Sequence, residues 1–423
     1  MKNYVDSSLN NIFSKIYPNE STDFHINRWN NLITEHVKNT EDSHPRLFSA
    51  SGRTELAGNH TDHNNGKVLA ASIQLDTIAA VTKQADTNGE QFAEIHSEGY
   101  PPVKISLSDL SARKEEEGRT DALVRGIANY IKENGGKTGG FTATTSSRVL
   151  KGSGLSSSAA LEVLVGSIFN ELYNNGRFTP VQLAVFGQKA ENNYFNKPCG
   201  LMDQIACAVG GAVAIDFKDN SNPVVESVSA DFAAEGYKLA IVDTGGDHAD
   251  LTDDYAAVPL EMKNVAKLFG EDTLRNVDES VFTERISEIR EQTGDRAILR
   301  ALHFFEENKR VDSMLNALKN EDMQNFFKYV EESGNSSFKY LQNVFSTRFY
   351  KNQGISLALA LTESILNGRG ASRVHGGGFA GTIQVYVPDD LFDKYKLSME
   401  KVFGNGSVVP LAIRQMPVGE IKP

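Results

Sequence analysis

Residues Lys151-Gly-Ser-Gly-Leu-Ser-Ser-Ser-Ala-Ala160 make a turn rich in glycine and serine that runs without a break into Leu161-Glu-Val-Leu-Val-Gly-Ser-Ile-Phe-Asn-Glu-Leu-Tyr173. Leu161, Leu164, Val165, Ile168 and Leu172 recur at helical spacing, so the turn opens directly onto the first turn of an amphipathic helix. Such a helix start presents unpaired N–H groups and the positive end of its dipole, while Gly152 and Gly154 allow close backbone approach and Ser156, Ser157 and Ser158 add hydroxyls. A polyphosphate ligand fits that chemistry. Taken alone, the turn also reads as a flexible linker ending in serine N-caps. The common phosphate loop carries Lys and then Ser or Thr after its last glycine; here serines follow the glycines directly, so a nucleotide would be held by another design.

Around this turn the chain alternates strand and helix patterns. Leu9 to Ile16 and Trp29 to Val37 read as amphipathic helices; Ile73 to Val81 reads as a strand, broken after Val81 by the polar run Asp86 to Gly89. Val103, Ile105 and Leu107 alternate as a strand, Ala122 to Glu133 reads as a helix stopped by Gly135-Gly136, and Phe141 to Val149 as the strand that delivers the turn. Thr179-Pro180 opens a helix that carries Glu191. Val213 to Phe217 and Tyr237 to Val242 read as strands, Tyr255 to Asn367 as mostly helical, Ile383 to Val387 as a strand, Asp389 to Val402 as a helix and Val408 to Ile413 as a closing strand. With 423 residues, two α+β domains are expected, divided near residue 220 into 1–220 and 221–423. The net charge of −12 and the lack of a basic block interleaved with aromatics argue against nucleic acid as a partner. Two cysteines, no apolar signal-peptide core and no apolar run of membrane-spanning length lead us to expect a cytoplasmic protein without a membrane partner.

Other stretches supply the parts a phosphoryl transfer needs: a divalent cation held by oxygen ligands, a base for the attacking hydroxyl and a balancing cation. Arg46 to Leu69 is dense in polar groups between two strand-like stretches and reads as a binding loop bearing Arg53, Asn59, His60 and Asp62. Ser158 and Glu191 are oxygen ligands that could share one magnesium, and Asp203, in a polar insertion between two helix-like stretches, could form the base with Arg53 as its balancing charge. Taken singly, each has a plainer reading: Glu191 as a surface charge, Asp203 as a helix cap, Tyr255 as core, and the glycines 376–378 as a turn. His60-Thr-Asp-His63 suggests a hydrogen-bonding loop more than a metal site or a metal-dependent hydrolase.

The segments Gly52-Arg-Thr-Glu-Leu-Ala-Gly-Asn-His-Thr-Asp-His-Asn-Asn-Gly66, Gly152 to Ala160, Cys199-Gly-Leu-Met-Asp-Gln204 and Gly376-Gly-Gly-Phe-Ala-Gly381 together resemble, in order, the motifs of galactokinases, members of the GHMP small-molecule kinase superfamily. The resemblance implies an N-terminal domain like ribosomal protein S5 domain 2, a ferredoxin-like C-terminal domain, and an active site in the cleft between them. It implies ATP-dependent phosphorylation of the anomeric hydroxyl of galactose with Mg2+; we expect a monomer or weak oligomer. Carried over by residue, it implies that Gly152, Ser153, Gly154, Leu155, Ser156, Ser157 and Ser158 hold the ATP phosphates and that Ser158 and Glu191 bind the metal. Asp203 takes the sugar proton and Arg53 stabilises the transition state, while Asn59, His60, Thr61, Asp62, Gly200 and Tyr255 read the sugar. Departures fall on the sugar side: galactokinases usually carry Glu where this chain has Asn59, Tyr where it has His63, and Asn where it has Glu55; in the third motif Ala380 stands where Gly is usual. They leave open a kinase for another sugar, such as a modified galactose or a uronic acid, and a non-catalytic sensor of sugar and ATP on the same fold.

Overall fold

The computed structural model describes residues 4–85, 89–149, 152, 154–246 and 251–422. Its framework is twelve strands: β1 (Arg46–Ala57), β2 (Lys67–Lys83), β3 (Phe92–Ser97), β4 (Val103–Ser106), β5 (Phe141–Ser147), β6 (Ala212–Asp216), β7 (Val224–Val228), β8 (Tyr237–Asp243), β9 (Ala371–Val374), β10 (Thr382–Pro388), β11 (Val408–Leu411) and β12 (Gly419–Glu420). Thirteen α-helices accompany them: α1 (Asn10–Ile16), α2 (Thr22–Thr40), α3 (Thr120–Glu133), α4 (Ser157–Tyr173), α5 (Pro180–Asn193), α6 (Met202–Val209), α7 (Thr252–Lys267), α8 (Glu279–Glu284), α9 (Ile286–Thr293), α10 (Asp295–Lys319), α11 (Met323–Ser336), α12 (Gly354–Leu366) and α13 (Asp389–Phe403). The expected α+β class is what the chain adopts.

One sheet runs in the order β12-β1-β2-β5-β3-β4, with β6 also paired to β2 and β7 to β6; the other runs β11-β8-β10-β9. Every pairing is antiparallel except β3 with β5. The first sheet takes strands from both sides of residue 220, since β7 and β12 belong to it. β1 and β2 are buried along most of their length rather than alternating, because helices cover both faces. Trp29, Ile33, Phe13 and Ile16 of α1 and α2 pack with Ile78 and Ala80, while α4, α5 and α6 join a separate core cluster with Leu56, Leu69 and Ile73. On the second sheet, α12 and α13 cover Val242, Ile383 and Val385, and α7 to α10 form their own apolar cluster against Phe379.

Several expectations shift here. The polar stretch from Arg46 is strand as far as Ala57, so Arg53 and Glu55 stand on β1, and the loop is confined to 58–66. The insertion at Pro198 to Gln204 ends in helix: α6 starts at Met202 and puts Asp203 in its first turn. The closing strand stops at Leu411, with Ile413 bridging to Ile73. β7 and β12 carry no clear alternation and went unforeseen. The break expected at Asp86 falls at residues outside those described, as do Lys151 and Ser153. Among the described residues, no helix is long and apolar enough to cross a membrane.

Candidate active site

Strand β5 leads through the turn to α4, as the sequence predicts. Gly152 and Gly154 take φ of 80° and 71°, and Ser156, the N-cap of α4, is also left-handed at φ 63°. Ser156 makes no side-chain capping bond; its hydroxyl donates instead to Asp203 Oδ2 at 2.7 Å. Ser156 therefore leaves the first N–H groups of α4 to other partners, which is the condition for an anion to take them. Gly52 explains how β1 reaches the turn: a Cβ there would lie 2.8 Å from the Leu155 carbonyl oxygen, and the next N–H, of Arg53, donates to that carbonyl at 3.1 Å.

Arg53 is buried and its guanidinium fork spans two elements. Nε donates to Asp203 Oδ1 at 2.8 Å and Nη1 donates to the Gly154 carbonyl. Asp203 keeps 37% of its side chain exposed beside the turn. Burial pushes the Asp203 carboxyl up, but the Arg53 charge and the hydrogen bonds from Ser156 and Arg53 outweigh it and hold the group below the usual carboxylate range. An ionised, partly open carboxylate beside a phosphate cradle can accept a proton from a hydroxyl placed against it.

The third group lies one helix away. Ser158 Oγ stands 3.4 Å from Glu191 Oε1 on α5, so the two oxygen ligands meet. Glu191 is buried, not a surface charge. Its Oε2 accepts from Gln204 Nε2 at 3.0 Å, and the same amide nitrogen donates to Glu162 Oε2 at 3.0 Å. Burial, reinforced by the Glu191 charge, raises the Glu162 carboxyl well above its ordinary range, and Glu162 Oε1 and Gln204 Oε1 find no hydrogen-bond partner among the described residues. Lys197 Nζ sits 2.9 Å from Glu191 Oε1. Hydroxyl and carboxylate oxygens at this spacing suit a hard divalent cation, and the donor set fits magnesium. Among the described residues, no cluster of three or more His, Cys, Asp or Glu is placed to hold a metal.

The sugar-side residues divide into two kinds. Asn59 is wholly buried and its amide is fully used: Nδ2 donates to Glu55 Oε1 at 3.1 Å and to the Gly376 carbonyl at 2.6 Å, while Oδ1 accepts from Asn343 at 2.8 Å and Ser337 at 3.3 Å. Thr61 is buried too, its hydroxyl turned inward to the carbonyls of Gly58 and Lys67. In this arrangement both side chains brace the loop. His60, Asp62, Gly200 and Tyr255 gather nearby. A Cβ on Gly200 would sit 1.8 Å from Asp62 Oδ2, and one on Gly377 would sit 1.9 Å from the Tyr255 ring. His60 Nε2 bonds to the Gly377 carbonyl at 2.9 Å, and its ring lies 6.2 Å from that of Tyr255. Burial and the neighbouring His63 lower the His60 imidazole to about 3.

Sequence reasoning missed the residues that tie these parts together. Glu55 pairs with the buried Arg373, whose Nη1 also donates to the Leu56 carbonyl at 2.9 Å. His375 bonds to Thr54 Oγ1 at 3.1 Å and to Thr382 Oγ1 at 3.2 Å. Only Glu55 carried a signal, as a departure inside a motif; Arg373, Asn343 and Ser337 lie hundreds of residues from their partners.

Residues 34–83 match the galactokinase galactose-binding signature, and residues 122–211 match the GHMP kinases N terminal domain. The chain is 31% identical over 349 residues to a galactokinase of Glaesserella parasuis, covering 81% of this chain and 85% of that protein. It is 29% identical over 362 residues to a galactokinase of Streptomyces coelicolor, covering 84% and 88%. Its fold matches that of Lactococcus lactis galactokinase complexed with galactose at a TM-score of 0.76, with 23% identity over 93% of this chain and 99% of that one. Methanococcus jannaschii mevalonate kinase matches at 0.60, with 14% identity over 87% and 98%. The fold is that of the GHMP kinases, and the identity and coverage of the relatives establish that the chain belongs to the galactokinase family.

Proposed function

We propose that this sugar kinase transfers the γ-phosphoryl group of ATP to the anomeric hydroxyl of galactose, giving galactose 1-phosphate and ADP. The observation that carries this reading is the Asp203 carboxylate, partly open and gripped by Arg53 at 2.8 Å and Ser156 at 2.7 Å beside the turn into α4. Asp203 takes the hydroxyl proton as the sugar oxygen bonds to phosphorus and ADP leaves. Arg53 keeps that carboxylate ionised and balances charge at the transferring group. The turn Gly152 to Ser158 cradles the phosphates. Ser158 and Glu191 would hold Mg2+, which when bound neutralises phosphate oxygens. His60, Asp62, Gly200 and Tyr255 orient the sugar, with Asn59 and Thr61 holding the loop. The reading divides the chain into lobes 1–220 and 221–423. Arg53, Ser158, Glu191 and Asp203 come from the first, Tyr255 and the glycines 376–378 from the second. Cytoplasmic location and a monomer or weak oligomer complete it.

A second reading, the same chemistry on another sugar, is favoured by one observation: the amide of Asn59 is saturated within the protein where galactokinases usually carry Glu. Initial rates of Mg2+-dependent ATP consumption with galactose, glucose, galactosamine, N-acetylgalactosamine, talose and galacturonic acid test both. The highest kcat/KM for galactose supports the first reading; a higher value for another sugar moves the assignment to that sugar. No consumption with any sugar refutes both.

A further inference from the structure

Lys197 lies in the link between α5 and α6, and its own N–H donates to the Glu191 carbonyl at 3.1 Å. Its side chain is 60% exposed, yet its ammonium reaches 2.9 Å from Glu191 Oε1, an oxygen of a carboxylate that is itself only 4% exposed. That same oxygen is the one 3.4 Å from Ser158 Oγ. The ammonium therefore stands against the donor pair that suits a divalent cation, and the two cations would repel if both gathered there. Arg53 brings one positive charge to the transferring group while its fork grips Asp203 and the Gly154 carbonyl, and the turn has no lysine after its last glycine, so a second cation has a place there. Lys197 has a flexible stem open to solvent, and the charges of Glu191 and Asp203 both act on its ammonium.

We propose that Lys197 is a catalytic residue: without nucleotide its ammonium holds Glu191, and when a divalent cation and ATP enter, it leaves that carboxylate and binds the oxygens of the transferring phosphoryl group. This rests on the reading of Ser158 and Glu191 as cation ligands and of residues 152–158 as the phosphate cradle. The hand-over replaces one ion pair by another. The group that leaves is an exposed lysine, whose stem moves without opening the core. An ordinary exposed ion pair would contribute little to either binding or rate.

The two halves of the proposal predict effects of opposite sign. In Lys197→Met, the competitor for Glu191 is gone, so Mn2+ titrated into the full-length protein without nucleotide binds severalfold more tightly, read by electron paramagnetic resonance of free Mn2+. In the same variant, kcat with ATP and sugar falls on the order of tenfold to a hundredfold through loss of a charged contact to the transferring group. The sugar KM stays unchanged, and Lys197→Arg restores part of kcat. Mn2+ affinity that is unchanged or weaker, or kcat within about twofold of wild type, overturns the hand-over. Glu191→Gln separates this failure from that of the underlying reading. If Glu191→Gln leaves Mn2+ affinity unaltered, the cation-ligand assignment falls and Lys197 with it; if it weakens Mn2+ while Lys197→Met does nothing, only the Lys197 proposal falls.

Discussion

Glu55 and Asn59 together invert the galactokinase pattern, which has Asn at the first position and Glu at the second. In the structure, Asn59 Nδ2 lies 3.1 Å from Glu55 Oε1, the oxygen that pairs with Arg373, and all three residues are buried. A side chain one methylene longer at 59 can therefore bring its carboxylate to Arg373 if the one at 55 is shortened by the same amount. Glu55→Asn alone strands the buried Arg373 charge and costs about 3–5 kcal/mol. Asn59→Glu alone removes the donor to Gly376 at 2.6 Å and puts a second carboxylate beside Glu55, which burial already pushes up; that costs about 2–4 kcal/mol. Independent effects would sum to roughly 7 kcal/mol, whereas the exchanged pair keeps one acid, one amide and the Arg373 partner, so we expect a coupling of about 3 kcal/mol in favour of the double variant. Urea unfolding of the wild type, both single variants and the double variant without ligand measures it, with m-values checked for constancy. Additivity within about 0.5 kcal/mol would refute the claim that these positions share one acid–amide pair.

Arg53→Lys replaces the fork that grips Asp203 and Gly154, so the Asp203 carboxyl should rise toward its ordinary range and the acid limb of kcat/KM should move to higher pH; an unmoved limb would contradict Arg53 as the group that keeps the base ionised. Gly200→Ala places a Cβ against Asp62 Oδ2 and should raise the sugar KM while leaving the ATP KM near wild type; the reverse pattern would detach Gly200 and Asp62 from the sugar. His60 protonates near 3 when folded but near 6.5 when unfolded, so the unfolded chain binds the extra proton in between: its contribution is fully present above 6.5 and falls with decreasing pH, by up to about 1.4 kcal/mol per unit. His60→Gln keeps a donor for Gly377 and should lose less stability than wild type between pH 7 and pH 5, by urea unfolding at each pH; equal losses would show that His60 is not buried as a neutral group.

Much of the architecture was legible because it is local. The helical periodicity after Ser158, the Thr179-Pro180 start, which the structure completes with a capping box to Gln182, and the glycines of the turn all act within a few residues. Some elements that went unread depend on partners far along the chain. β12 is two residues that exist as strand only through Phe48 and Ser49. The Arg53 to Ala57 stretch read as loop because its polar groups suggested solvent, yet they are buried and bonded to Asp203, His375 and Arg373. The same limit applies to Asn59. Residue type and position suggested a ligand contact, and only the placement of Asn343, Ser337 and Gly376 around it reveals an amide with no bond left to offer.

The most direct test of the account is a single-turnover measurement with enzyme in excess over γ-phosphate-labelled ATP, Mg2+ and saturating galactose, run for the wild type and Asp203→Ala, with ATP binding measured separately on both. The account predicts that label appears in a sugar 1-phosphate with the wild type, and that Asp203→Ala slows that step by about a hundredfold or more while its ATP affinity is retained. Equal transfer rates in the two proteins would contradict the assignment of Asp203 as the group that takes the sugar proton.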